Sequence, residues 1–207
     1  MGLKNVKTTT YSLEWEVVVN LEARLLKDFN SSKNEFVARK LLMISIGTRL
    51  GLRVIDNLYL KWGDLMDLEV GEKFVRLEKK TNKERILVMS SKLKEVLKQV
   101  IKTLNPDPNS FIFKSQKSKG TTPMSIQNFN IILKEIMKEY KIKCIGATSS
   151  HLLRKSFIVG SVRKGFESGD FLSLSKVSKL VGHSNLSTTM RYTNFETSTM
   201  LSLYELN

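Results

Sequence analysis

Very little in this sequence binds metal or forms cross-links. One cysteine, Cys144, and two histidines stand among 207 residues. A lone thiol excludes an internal disulfide and a cysteine-built metal cluster, and fits a reducing compartment. Two histidines leave too few ligands for an ordinary zinc site. Long apolar runs are also missing: the longest, Leu41 to Ile46, falls far short of the roughly 20 residues that cross a bilayer. The N-terminus is polar, without the charged-then-apolar order of a secretion signal. A soluble, cytoplasmic protein is expected. There is also no Walker-type phosphate loop and no carboxylate metal cluster.

Acid is the other deficit. Twenty Asp and Glu face thirty-four Lys and Arg, a formal charge of +14. The excess crowds the segments from Lys79 to Lys102 and from Lys114 to Lys143. Such a surface attracts polyanions, and nucleic acid is the leading partner. A hydrophobic content of 41% over this length suffices for one compact domain.

Residues 1–11 form a short basic, Thr-rich stretch without apolar periodicity, expected as a flexible tail. From Ser12, Leu13, Trp15, Val18, Leu21 and Leu25 recur at helical steps and predict a helix to about Asp28, ended by Asn30-Ser31-Ser32. Ser32 and Glu35 have capping-box spacing, and Phe36, Leu41 and Ile44 supply the stripe of a second helix that Gly51 stops. A short third helix follows, with Arg53 close to its N-terminus, where free backbone N–H groups favour an anion. Between Phe74 and Met89 the period changes to two, which predicts a β-hairpin turning around Lys80-Thr81-Asn82-Lys83. Later helices are expected from Ser91, around Ile126 to Met137, after Ser149 or Ser150, around Leu174 to Val181 and over Thr188 to Phe195. A short strand is expected at Phe111 to Phe113, and a polar loop over 114–122. The fold class is α+β, mostly α-helical, with a small antiparallel β-sheet and no βαβ alternation.

Attack on a phosphodiester needs cations for the non-bridging oxygens, a proton donor for the leaving oxygen and a hydroxyl nucleophile. Arg53 and Arg154 lie near helix starts, and the planar guanidinium fork suits phosphate. Lys80 on the hairpin tip can supply a proton, and Tyr192 can attack phosphorus. The two histidines, His151 and His183, flank the same stretch, and Tyr192 follows His183 by nine residues.

Four separated pieces resemble the catalytic domain of the tyrosine recombinases, or phage integrases. They are Gly51-Leu52-Arg53-Val54-Ile55-Asp56, Lys80-Thr81-Asn82-Lys83-Glu84-Arg85, His151-Leu152-Leu153-Arg154-Lys155, and Leu180-Val181-Gly182-His183 running on to Tyr192. The resemblance implies that Arg53 and Arg154 clamp the scissile phosphate. It makes Lys80 the general acid toward the leaving 5′ oxygen, with His151 assisting proton transfer. His183 would hydrogen-bond a phosphate oxygen and Tyr192 would be the nucleophile. A 3′-phosphotyrosyl link keeps the phosphoester energy for rejoining, without metal or nucleotide. Asp56 stands where the family often has glutamate and is expected to support Arg53. Leu152 and Lys155 replace the usual Asp and His, which implies altered packing.

The implied function is site-specific DNA recombination on double-stranded DNA by a homo-oligomer, a tetramer. The alternatives are a non-catalytic DNA-binding relative and a topoisomerase-like nicking and resealing enzyme. A catalytic domain over 12–207, without a separate core-binding domain, is expected. The apolar stripe Met200 to Tyr204 is expected to pack on its own domain or, as the resemblance implies, to dock into a neighbouring protomer.

Overall fold

The computed structural model describes residues 11–118, 120–183 and 185–193, with the backbone alone at 192 and 193. Residues 1–10 of the stretch expected as a flexible tail, and the Met200 to Tyr204 stripe, lie outside the described residues. Among these residues no helix is long and apolar enough to cross a membrane.

Eight α-helices and one hairpin make up the described chain: α1 (Trp15–Ser32), α2 (Glu35–Arg49), α3 (Val54–Leu58), β1 (Lys73–Leu77), β2 (Glu84–Val88), α4 (Ser91–Leu104), α5 (Ile126–Glu139), α6 (His151–Glu167), α7 (Ser173–Leu180) and α8 (Leu186–Thr193). A 3₁₀ turn, Trp62–Asp64, separates α3 from the hairpin.

α2 is the centre. Every residue from Ala38 to Thr48 is buried, because α1, α4, α5 and α6 pack around it. Val18, Leu21, Leu25 and Phe29 of α1 close one side, and Leu93, Leu97 and Val100 of α4 another. Each such side chain taken wholly out of water contributes about 1.5–3 kcal/mol. A smaller apolar cluster, Ile158, Val162, Val177 and Val181, joins the C-terminal half of α6 to α7. α6 therefore belongs to both layers.

Several local expectations are corrected. α1 runs past Asn30 to Ser32, because Ser31 and Ser32 turn their hydroxyls back onto the Lys27 and Asp28 carbonyls on an exposed face. It ends at Lys33 in the left-handed region, φ +52°. Ser32 is consequently not the cap of α2; Asn34 is, accepting from Phe36 N at 2.7 Å. Phe36 is exposed in the first turn, its ring covered by the Lys40 ammonium at 4.8 Å. Ser90 rather than Ser91 caps α4, accepting from Leu93 N. Ser150 stands at the cap position of α6 without a side-chain cap bond, and α8 begins at Leu186, two residues before the expected Thr188.

Phe111 and Lys114 make only isolated bridges, to Lys61 and Pro123, so the sheet among the described residues is the hairpin alone. Its strands are antiparallel, with Val75 opposite Ile86 and Arg76 opposite Arg85. Val75, Leu77, Ile86 and Val88 face outward, while Arg85 and Leu87 are buried and Phe74 half-buried. The two opposed arginines are held apart by different acids: Arg76 donates to Asp64 Oδ2 at 2.9 Å, and Arg85 to Glu78.

Candidate active site

Arg154 joins the pieces that the sequence leaves apart. It is the fourth residue of α6 and 8% exposed. Its Nη1 donates to the Gly51 carbonyl and its Nη2 to the Val181 carbonyl, each at 2.6 Å. One guanidinium thus fixes the turn before Arg53 and the turn before His183. Charged donors make hydrogen bonds roughly twice as strong as neutral ones, so these two loops are held firmly in register.

Both loops need a left-handed glycine. Gly51 has φ +59° and Gly182 φ +65°. A Cβ on Gly182 would come within 3.0 Å of Arg85 Nη1, so the hairpin sits directly under the His183 turn.

Arg53 occupies the N-cap position of α3 without capping it by side chain. Its Nη1 pairs with Glu78 Oε2 at 2.5 Å, and the side chain keeps 23% of its surface open. Glu78 is 2% exposed and also accepts from Arg85 Nη1 at 3.3 Å and from Thr81 Oγ1 at 2.7 Å. Burial alone would push the Glu78 carboxyl up; the Thr81 hydrogen bond, Arg53 and Arg85 outweigh it and hold the carboxyl below its usual range. Asp56 has a different task from the one expected: its Oδ1 accepts Lys79 N at 2.8 Å, which anchors the hairpin turn, and the carboxylate on Arg53 is Glu78.

Lys80 is exposed in the turn between β1 and β2. Its charge reaches His151, the exposed first residue of α6. Partial desolvation of the His151 ring comes first, then the charges of Lys155, Arg154 and Lys80; together they hold its imidazole below the usual histidine pKa. Leu152 is fully buried in the main core, and half-buried Lys155 has its ammonium pushed down by burial. Of the two replaced positions, Leu152 therefore serves packing.

His183 is half-buried. Its Nδ1 lies 2.8 Å from Thr189 Oγ1, a fully buried hydroxyl on α8. Burial and the charges of Arg154, Arg53 and Arg85 push its pKa down to about 4, with Glu78 alone acting in the opposite sense. At neutral pH the ring is uncharged and offers one N–H donor. Tyr192 lies in the last turn of α8; its side chain is outside the described residues.

The depressed His183 pKa has a consequence for stability. Above the ordinary histidine value of 6.5 neither folded nor unfolded chain protonates this ring; as pH falls from 6.5 toward about 4, the unfolded chain takes up the proton and the folded chain does not. Stability is thus lost over that window. The expected result is that His183→Gln unfolds in urea with a shallower pH dependence between 6.5 and 5 than wild type. Parallel wild-type and variant curves would contradict the assignment.

Arg53, Arg154, His151, His183 and Lys80 are therefore gathered around the starts of α3 and α6, the hairpin turn and the α7–α8 turn. Sequence reasoning missed Glu78, Thr81, Arg85 and Thr189. The available sign was Glu78 itself, an acid inside a cationic segment on the same strand face as Phe74.

The sequence profile of the phage integrase family matches residues 20–198. The chain belongs to the phage integrase family. Among curated relatives, the tyrosine recombinase XerD of Listeria innocua serovar 6a (strain ATCC BAA-680 / CLIP 11262) is 33% identical over 158 residues, 73% of this chain and 48% of that protein. The TnP I resolvase of Bacillus thuringiensis is 29% identical over 150 residues, 70% of this chain and 45% of its own length. The chain spans about half the length of these integrase-family relatives. Among solved structures, the XerH site-specific recombinase bound to palindromic difH substrate, a post-cleavage complex, matches with TM-score 0.67 at 23% identity over 99% of this chain and 56% of that one. The catalytic domain of bacteriophage HP1 integrase matches with TM-score 0.56 at 19% identity over 96% of both chains. These two likenesses establish the shared fold: the mostly helical phage integrase catalytic domain with its small antiparallel sheet.

Proposed function

We propose that this chain is the cutting and rejoining unit of a site-specific DNA recombinase acting on double-stranded DNA. The observation that carries this reading is the Arg154 guanidinium, which ties the Arg53 and His183 turns together beside the Lys80 turn. Arg53 and Arg154 hold the two non-bridging oxygens of the scissile phosphate, and neutral His183 donates to one of them. The Tyr192 hydroxyl attacks phosphorus, the 5′ oxygen leaves with a proton from Lys80, and His151 assists proton transfer. Reversal by another strand's 5′ hydroxyl reseals the backbone. The formal charge of +14 supplies the sequence-independent part of DNA affinity. The fold is shared with a recombinase captured in a post-cleavage complex with its difH substrate, and in this reading four protomers act together on paired sites.

The test is a pool of nicked duplexes with randomised core sequence, in which the freed fragment diffuses away and traps any covalent intermediate. A protein–DNA species that survives denaturation, with enriched sequence, is expected, followed by exchange between two duplexes carrying the recovered site. Absence of the covalent species would mean a DNA-binding relative. A covalent species without exchange would mean a nicking and resealing enzyme.

A further inference from the structure

Glu78 is a buried carboxylate set among the cations of the site, and neither the reaction nor the motifs assign it a task. Its two oxygens have different partners. Oε2 is shared by Arg53 Nη1 at the start of α3 and by Thr81 Oγ1 in the hairpin turn; Oε1 takes Arg85 Nη1 from β2. Arg85 in turn lies against the Gly182 turn. The turn itself is closed on Glu78 by backbone bonds, Glu78 N to Lys83 O and Asn82 N to Glu78 O, both near 3 Å. Lys80 lies inside that loop, two residues from Glu78.

We infer that Glu78 is a positioning residue, a latch that sets the Lys80 turn and the Arg53 guanidinium at a fixed separation through one buried carboxylate; the catalytic part of this rests on the recombinase reading. The geometry favours a latch over a block. Arg53 Nη1 is fully buried against Glu78, so the 23% of the side chain that stays open lies elsewhere and remains available to a phosphate. Two arginines that would otherwise repel share one acid, and Arg85, 5% exposed, pairs with Glu78 while the charge of Asp56 acts on it more weakly. Asp56 completes the tether by holding the Lys79 amide, so the turn is pinned on both sides of Lys80's backbone.

Glu78→Gln keeps the shape and removes the charge, leaving an amide N–H₂ against a guanidinium. A displacement of about 1 Å in a reacting group costs on the order of 10²-fold in rate, the slowing expected for covalent-complex formation on the duplex recovered from the pool. DNA affinity is expected to stay within about twofold of wild type or to tighten, since the change removes negative charge beside phosphate. Hydrogen exchange of amides 78–83 in the DNA-free protein should accelerate while α2 amides do not. Thr81→Val, which removes only the hydroxyl, should move both readouts in the same direction by less, and serves if the Gln variant does not fold. Wild-type cleavage by Glu78→Gln, or affinity that falls in step with rate, would overturn the latch. If the wild-type chain forms no covalent species, the recombinase reading fails and exchange alone decides: faster exchange in the turn upholds the latch, unchanged exchange removes it.

Discussion

Tyr192→Phe is expected to erase the covalent protein–DNA species while DNA affinity and thermal stability stay at wild-type values. Removing a nucleophile costs on the order of 10⁶-fold where it has been isolated, so the product should fall below detection. The argument begins at His183. Its Nδ1 is tied to Thr189 Oγ1 at 2.8 Å, and Thr189 is fully buried, so the helix that carries Tyr192 is anchored one turn before the tyrosine. The carbonyl of Val181, at the other end of the same turn, is held by Arg154. Other tyrosines are differently placed. The Tyr140 hydroxyl donates to Asp28 at 2.5 Å, and burial, that hydrogen bond and the charges of Asp28 and Glu139 push its pKa up, which keeps it a neutral donor far from attack. Tyr59 sits beside the hairpin, its ring under the Lys79 ammonium at 4.3 Å and edge-on to Phe111. It is the strongest rival among the described residues, and Tyr59→Phe should leave the covalent species in place. A denaturing gel in which Tyr192→Phe still carries DNA and Tyr59→Phe does not would move the nucleophile to the hairpin side.

Some of this was legible because local spacing and tertiary burial agree. α4 announces itself through Leu93, Val96, Leu97 and Val100, and all four are buried where a 3.6-residue period puts them. The hairpin follows from its period of two. Its orientation does not: hydropathy alone would turn Val75, Leu77, Ile86 and Val88 inward, whereas the chain buries Glu78 and Arg85. That inversion requires charges that satisfy one another, and the partner of Glu78, Arg53, lies 25 positions upstream, beyond any local pattern. The same distance explains Asp56. Three residues after Arg53 it reads as that arginine's support, yet the turn amide of Lys79 claims its oxygen. The end of α1 was hidden for a different reason. Exposed Ser31 and Ser32 satisfy their own helix carbonyls, so a polar triplet that spells a break extends the helix instead.

Gly51→Ala is expected to produce the largest loss of stability of any single methyl added to the site. Two independent effects combine. At φ +59° an L side chain costs roughly 1–2 kcal/mol. The new Cβ would also overlap the Phe157 ring, and overpacking of this kind costs about 1–3 kcal/mol. The two are separable, because Phe157→Leu makes room for the methyl but cannot relax the backbone. The double variant should therefore regain part of the lost unfolding free energy in urea, and the overpacking share is the part regained. Position matters as well as size. The Gly51 carbonyl accepts from Arg154, and Arg53 takes the N-cap position of α3 two residues later, so any shift that relieves the clash also moves one of these two arginines relative to the other. Covalent-complex formation by Gly51→Ala should consequently fall further than its folded fraction does, and the double variant should recover rate along with stability. If Gly51→Ala unfolds at the wild-type midpoint, the left-handed turn and the close ring are not what hold these two loops together.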